Sequence, residues 1–142
     1  AREFGATDTV NASLGDPVKF IKQITGGGVD YSFEAVGLQK TAGQAFRSLT
    51  YGGTATMIGL VPLGEKLEVE VAHMLQSERK IQGSFMGSNR FRVDMPRYFE
   101  FYRQGRLNLD AMITSRGRLG DVDDAFKTMK RGEGARTVLM FD

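Results

Sequence analysis

The chain has 142 residues, 41% of them hydrophobic and 25% charged, which suits one globular domain with a workable core. The net charge is +2, and Lys and Arg are interspersed with Asp and Glu, so we expect no nucleic-acid partner. There is no cysteine, which excludes disulfides and thiolate metal sites within these residues.

The residue pattern of the N-terminal segment predicts two helices with a short strand between them. Ala1–Phe4 predict the end of a helix that Gly5 stops, and Thr9–Asn11 predict a short strand. Asp16 and Pro17 predict the start of the next helix. Asp accepts hydrogen bonds from the first free N–H groups of a helix, and Pro lacks the N–H that would stay unpaired there.

A strand, a crossover helix and a second strand come next. The strand signals are Val29–Glu34, which ends before Gly37, and the buried run Thr54–Leu60. Between them, Gln39–Leu49 predict a helix and Tyr51–Gly53 a turn. This order is the repeating unit of a parallel, doubly wound sheet.

The middle of the chain predicts one unusual strand and one ordinary strand. Leu67–Val71 alternate apolar and acidic residues, which is typical of an edge or interface strand rather than a central parallel one. His73 begins a short helix, and as the only histidine it offers no metal constellation. Lys80–Ser84 predict a further strand, and Asp94–Pro96 the start of an aromatic-rich helix.

The C-terminal region predicts a strand, a helix and a strand. Met112–Thr114 form the first strand signal, and Leu119 opens a turn. The helix Val122–Lys130 follows, with Asp121 as its expected cap. A Gly-Glu-Gly break then precedes a final strand over Arg136–Phe141.

Together these elements predict an α/β fold: a partial Rossmann sheet that lacks its first strands, followed by C-terminal helices and a strand. A dinucleotide-binding domain normally opens with a strand and a Gly-x-Gly-x-x-Gly turn, and an acidic ribose-binding residue follows about 20 residues later. Neither feature occurs here. A soft boundary near Met86 divides residues 1–85, the C-terminal part of a cofactor-binding domain, from residues 86–142.

The carboxyl ends of the predicted parallel strands are the candidate binding site, because ligands of open parallel sheets lie outside those ends. Three segments follow these strands: Ala35–Gly37, Ile58–Leu60 and Ser84–Met86. Their small or apolar residues and free backbone groups could hold a flat ring with a carboxamide, or could be ordinary strand exits. Arg136 could bind a phosphate, or it could pair with Glu133 on the surface.

Five segments, in order, carry a resemblance to a known family. They are Glu3–Asn11, Gly27–Gly37, Ile58–Leu60 with Pro62, Gln82–Ser88 and Gly132–Thr137. From its first residue to its last, the chain resembles the C-terminal part of zinc-type medium-chain alcohol dehydrogenases. The formaldehyde dehydrogenase-like class is the nearest. The resemblance implies a subunit with a GroES-like catalytic domain and a Rossmann domain, which hold NAD or NADP in the cleft between them.

The resemblance also implies a set of cofactor-binding residues: Ala35, Val36, Ile58, Gly59, Leu60, Ser84, Phe85, Met86 and Arg136. Ala35 and Val36 would line the adenosine and ribose side of the cofactor, and Ile58–Leu60 would flank the nicotinamide. Ser84–Met86 would bond the carboxamide through the backbone, and Arg136 would bind the pyrophosphate. Residues 86–142 would be the tail that returns to the catalytic domain. Leu67–Val71 would pair across a two-fold axis in a homodimer or a higher oligomer.

The function implied by the resemblance is hydride transfer between an alcohol or aldehyde and nicotinamide, with zinc polarising the alcohol oxygen. In this family the zinc ligands lie upstream of the matching region. We therefore assign no catalytic or metal-binding residue to this chain, and we expect a fragment that is inactive alone. Two alternatives are a non-catalytic, dimerising remnant of a cofactor domain and part of a zinc-free quinone or enone reductase.

The expected partner is a small-molecule alcohol or aldehyde, and the expected compartment is the cytoplasm. No apolar run approaches the roughly 18 residues that are needed to cross a bilayer, so no membrane partner is expected.

Overall fold

The structure, a computed structural model, describes residues 1–141. These residues form two compact units, one ending at Asn89 and the other starting at Arg90. The sequence placed a boundary after residue 85. The assignment of the two parts to a cofactor domain and to a returning tail stays a prediction.

The first unit is built on a parallel sheet of three strands, β1 (Val29–Glu34), β2 (Leu49–Met57) and β3 (Lys80–Gly83), in that order. Helix α2 (Gln39–Arg47) forms the crossover between β1 and β2. The predicted α/β fold with a partial, doubly wound parallel sheet is confirmed.

Helix α1 (Pro17–Thr25) begins and ends as the sequence predicts. The Asp16 carboxylate accepts a hydrogen bond from the Val18 N–H at 2.9 Å, and Pro17 occupies the first helical position. Gly26 ends the helix in a left-handed conformation, with φ 70°, which a residue without Cβ adopts at little cost.

The core of the first unit lies between α2 and the sheet. Its buried residues are Phe46, Leu49 and Ala55, of which Leu49 is completely buried. The half-buried residues that pack against them are Val29, Met57, Val69, Met74 and Ile81. The sequence placed Leu49 at the inner face of the helix. The residue is buried as expected but is the first residue of β2.

The Tyr51–Gly53 segment is not the turn that the sequence predicts. It lies within β2, where Val29 pairs with Leu49 but Tyr31 pairs with Thr54, so that β2 bulges past β1. Gly52 has φ 70° in this bulge. Two adjacent glycines indicate a turn from sequence, but they also permit a strand to bulge and continue.

Two predicted strands do not form within the described residues. Thr9–Asn11 and Leu67–Glu70 join neither sheet, and helix α3 (Val71–Gln76) begins at the last residue of the predicted strand Leu67–Val71. Both strand predictions are wrong for the chain by itself, because a strand requires a neighbour for its backbone hydrogen bonds. His73 lies in α3, as predicted.

The second unit contains α4 (Phe91–Arg103), α5 (Val122–Lys130) and a parallel pair of strands, β4 (Ser115–Arg118) and β5 (Thr137–Met140). Helix α5 and the final strand were predicted. Helix α4 begins earlier than the sequence indicates. It includes Pro96, and its Asp94 carboxylate accepts a hydrogen bond from the Arg90 N–H at 2.7 Å.

Two details of the second unit differ from the sequence prediction. Met112 ends a short 3-10 turn, Asp110–Met112, and the strand begins at Ser115 rather than at residue 112. Asp121 precedes α5 as expected, but its carboxylate accepts a hydrogen bond from the Arg118 N–H at 2.7 Å and none from α5. In residues 1–141, no helix combines the length and the apolar character needed to span a membrane.

Candidate functional site

The three predicted segments lie side by side at one edge of the first sheet. Strands β1, β2 and β3 are parallel neighbours, so their carboxyl ends share one edge, which we call the strand-end edge. Ala35–Gly37, Ile58–Leu60 and Ser84–Met86 follow the three strands in turn. The edge therefore gathers eight of the nine predicted cofactor-binding residues, and Arg136 belongs to the second unit.

Backbone hydrogen bonds join these segments. The Glu34 carbonyl accepts from the N–H groups of Ile58, at 2.8 Å, and Gly59, at 3.0 Å. The Ser84 N–H donates to the Met57 carbonyl at 2.9 Å. The segments Ile58–Leu60 and Ser84–Met86 are thus anchored where they leave the sheet.

The last residue of β1, Glu34, has a buried carboxylate at the strand-end edge, between the loop after β1 and Gly59. The residue is 3% exposed, and its Oε1 accepts three hydrogen bonds. The donors are the N–H groups of Val36 and Gly37, both at 2.9 Å, and the Thr41 hydroxyl, at 2.6 Å. Sequence reasoning missed this residue. The available signal was an acidic residue that ends an otherwise β-prone strand, three positions before Gly37.

Hydrogen bonding keeps the Glu34 carboxylate ionised. Burial makes the largest single contribution and raises the pKa. Hydrogen bonds from Thr41, Gly37, Val36 and Leu38 together outweigh it and hold the pKa below its ordinary value of 4.5. At neutral pH the strand-end edge therefore contains a buried negative charge that is stabilised by donors rather than by a cation.

Two glycines allow the chain to close around this carboxylate. A Cβ on Gly59 would lie 2.2 Å from the Gly37 nitrogen and 2.6 Å from Oε2 of Glu34. Gly37 has φ 85°, and a Cβ there would lie 2.5 Å from the Leu60 carbonyl oxygen. Both positions require glycine because backbone meets backbone. The glycine predicted to flank a cofactor thus also has a packing role.

The outer surface of the strand-end edge is apolar and open. Four of its side chains are exposed by 70% or more: Val36, Leu60, Phe85 and Met86. Ile58 is 39% exposed beside them. An exposed apolar surface next to backbone groups at the ends of parallel strands suits a flat heterocycle with polar substituents.

The segment after β3 has a strained backbone. Met86 and Ser88 both have φ 52°, and Gly87 between them has φ 71°. A run of three left-handed residues is costly for the two that carry a Cβ. Strain of this kind concentrates at functional sites, and here it falls on one of the predicted segments.

In the second unit, Arg136 lies at one end of an open groove of about 360 Å³ that also contains Phe126 and Met129. Its guanidinium makes no ion pair among the described residues, and Glu133 pairs with Arg131 at 2.9 Å. The alternative pairing of Arg136 with Glu133 is therefore not formed. A guanidinium in this state is suited to an anionic ligand.

The single histidine contacts an arginine. Nε2 of His73 lies within hydrogen-bonding distance of Nη1 of Arg79, whose Nε donates to the Thr50 carbonyl at 3.3 Å. In residues 1–141, no three His, Cys, Asp or Glu side chains converge into a possible metal site. The donor set of the described chain therefore does not fit a zinc ion, which needs at least three protein ligands.

Comparison with known proteins links this geometry to one family. A family model described as zinc-binding dehydrogenase matches residues 1–103. The geraniol dehydrogenase of Carpoglyphus lactis is 32% identical over 142 residues, which cover 99% of this chain and 37% of that relative.

Solved structures agree with the sequence match. An alcohol dehydrogenase zinc-binding domain protein from Burkholderia ambifaria superimposes with a TM-score of 0.91 at 30% identity, over 99% of this chain and 38% of that one. A protein from Sinorhizobium meliloti 1021 that is bound to NADP superimposes with a TM-score of 0.78 at 31% identity, over 96% of this chain and 39% of that one. The chain thus spans less than two fifths of the length of these proteins.

Proposed function

Because the chain belongs to the zinc-binding dehydrogenase family, as its sequence predicts, we propose that it supplies the later half of the cofactor-binding domain of an NAD(P)-dependent alcohol dehydrogenase. The observation that carries the proposal is the strand-end edge, where three parallel strands bring the predicted segments together. The chain covers less than two fifths of the length of these relatives, which supports a role as one part of a longer enzyme.

In this proposal the residues of the strand-end edge bind and orient the cofactor. Ala35 and Val36 line its adenosine and ribose side, and Ile58–Leu60 flank the nicotinamide. Ser84–Met86 bond the carboxamide through their backbone. The nicotinamide, when bound, accepts or donates the hydride. The exposed apolar side chains of these segments would also keep water from the ring.

Arg136 is proposed to bind the cofactor pyrophosphate. Its guanidinium makes no ion pair among the described residues, and two parallel N–H groups match phosphate oxygens. The dinucleotide could be NAD or NADP.

The proposed enzyme acts on a small-molecule alcohol or aldehyde in the cytoplasm. The described residues do not fit zinc, so we assign the metal to a part of the enzyme that this chain does not include.

The segment Leu67–Val71 is proposed as the pairing strand of a homodimer or higher oligomer. Leu67 and Val69 are half-buried and Glu68 and Glu70 are exposed, as the predicted alternation requires, but Val71 is exposed at the start of α3. No strand lies beside this segment in the described chain. A second copy could complete the backbone hydrogen bonds of this segment across a two-fold axis.

The proposed cofactor site can be tested by titrating the 142-residue chain with NADH and with NADPH while its amide chemical shifts are recorded. We expect a dissociation constant no better than about millimolar, since the helix N-terminus that normally binds the pyrophosphate is not among the predicted elements. The shifts should concentrate on the strand-end edge, and Arg136→Ala should weaken them. Shifts confined to other surfaces, or micromolar affinity, would contradict the proposal.

A further inference from the structure

We propose that Glu34 is a positioning residue whose carboxylate fixes the shape of the strand-end edge. The carboxylate holds the loop after β1 to the start of α2, so that Ala35–Gly37 keep one backbone conformation, and the Glu34 backbone carbonyl holds Ile58 and Gly59 beside this loop. We call the hydrogen bonds from Val36, Gly37 and Thr41 to the Glu34 carboxylate the clasp. Its consequence for cofactor binding rests on the function proposed above, but the clasp itself does not.

The carboxylate links the loop after β1 to the first turn of α2. Oε1 accepts hydrogen bonds from Val36 and Gly37 in the loop and from Thr41 in the first turn of α2. The residue that precedes this helix, Leu38, has no capping side chain. A carboxylate near the positive end of a helix is favoured, and charge-assisted hydrogen bonds are the stronger class.

The same residue also joins the end of β2. Its backbone carbonyl accepts from Ile58 and Gly59, and its second carboxylate oxygen, Oε2, lies where Gly59 closes against the loop. Oε2 is buried and has no hydrogen-bond partner among the described residues. Both predicted segments are therefore held by one residue, one through the side chain and the other through the backbone.

The chemistry of the donors favours an ionised carboxylate at this position. Two N–H groups and a hydroxyl all point at one oxygen, and a carboxylate is the side chain that only accepts hydrogen bonds. An apolar side chain would remove the acceptor of both N–H groups, and the loss is costly at Gly37, which is buried. A glutamine would retain one acceptor but place an NH₂ group against Gly59 or against the donors.

Glu34 acts through its neighbours and not by touching a ligand. The residue is 3% exposed, and both carboxylate oxygens lie beneath the loop. A bound cofactor would meet the side chains and backbone of the segments, whose positions the clasp sets. This separates Glu34 from the nine residues assigned to the site by resemblance.

The test compares four variants of the 142-residue chain: Glu34→Gln, Thr41→Val, Thr41→Ser and Ser32→Ala. Thr41→Val removes one donor of the clasp, and Thr41→Ser restores the hydroxyl. Ser32→Ala is the matched control, because the Ser32 hydroxyl also ties β1 to α2, through the Ala45 carbonyl at 2.9 Å, but away from the strand ends.

The first readout is amide hydrogen exchange of Val36 and Gly37 without ligand. We expect exchange to be about tenfold faster in Glu34→Gln and Thr41→Val, and unchanged in Thr41→Ser and Ser32→Ala. If Thr41→Val left these amides as protected as in the parent, or if Ser32→Ala exposed them equally, the clasp would be refuted. Thr41→Val keeps the test valid should Glu34→Gln not fold.

The second readout is the NADH titration of the same variants. The clasp variants should bind about tenfold more weakly than the parent, with Thr41→Ser at the parent value. If the variants exchanged the Val36 and Gly37 amides faster but bound NADH as tightly as the parent, the clasp would exist but would not position the residues that bind the cofactor. A parent chain whose shifts fell only on other surfaces would contradict the proposed function, whereas the exchange data would still show whether the hydrogen bonds to the Glu34 carboxylate form.

Discussion

At the strand-end edge, Glu34 accepts hydrogen bonds from N–H groups that follow β1 and β2. Leu67–Glu70, by contrast, alternate apolar and acidic residues but have no strand beside them among the described residues. The first region is completed by contacts within the chain. The second has the pattern of a strand but not its hydrogen bonds. The difference indicates which properties the chain determines itself and which depend on a second molecule.

The largest effect is expected from filling the closest contact of the strand-end edge. In Gly59→Ala the new Cβ would lie 2.2 Å from the Gly37 nitrogen, so β2 and the loop must separate. We expect a loss of about 3 kcal/mol in the free energy of unfolding, measured by urea titration. Gly83→Ala is the control, because a Cβ there meets nothing within 4 Å. Equal stability of the two variants would show that the edge is loosely packed.

The next effect is a pH dependence of stability that comes from the Glu34 carboxylate of the strand-end edge. The folded-state pKa of Glu34 lies below 4.5, so its ionised form stabilises the fold above that pH, and this stability is lost as the pH falls through the folded-state pKa. Relative to the parent, Glu34→Gln should lose about 1.5–3 kcal/mol at pH 7. The difference should shrink as the pH falls below about 5. A difference that is the same at pH 7 and pH 3 would contradict this account.

The proposed pairing segment should respond to a change in backbone chemistry rather than in charge. Glu68→Pro removes an N–H from the middle of Leu67–Glu70, which a strand inside a ladder does not tolerate. We expect association of the chain, measured by light scattering, to weaken by about tenfold or more. Lys66→Pro, just before the segment, is the control. If both variants associated like the parent, Leu67–Val71 would not be the interface.

The smallest effect separates general stability from the shape of the strand-end edge. Asp16→Ala removes the cap of α1, where the carboxylate accepts from the Val18 N–H at 2.9 Å. The loss should be about 1 kcal/mol in thermal or urea unfolding. Hydrogen exchange at Val36 and Gly37 should stay at the parent rate while the protein is folded. Faster exchange at both amides would mean that the edge responds to any loss of stability.

Local signals made much of the fold predictable. The cap at Asp16, the run Val29–Glu34 and the break before Arg136 each specify an element through neighbouring residues. Thr9–Asn11 and Leu67–Val71 were mispredicted because strand formation depends on a distant partner that a local pattern does not reveal. The start of β4 was missed because Ser115–Arg118 carries no apolar alternation.

The position of the candidate site could be predicted from the sequence, but the buried contacts that hold it together could not. Strand ends follow from the order of elements, so the segments around Ala35, Ile58 and Ser84 could be placed on one edge from sequence. Glu34 could not be identified in this way, because its burial depends on the approach of Gly59 from the next strand. An acidic residue at a strand end otherwise indicates exposure to solvent.

The central claim is that the strand-end edge holds the nicotinamide ring, and nuclear Overhauser contacts from the ring protons of bound NADH test it most directly. The expected contacts are to the Ile58 and Leu60 methyl groups and to the Ser84 amide, with the completely buried Leu49 at the opposite end of β2 as a methyl-bearing reference that should show none. Contacts to residues of the second unit, with none to Ile58, Leu60 or Ser84, would contradict it.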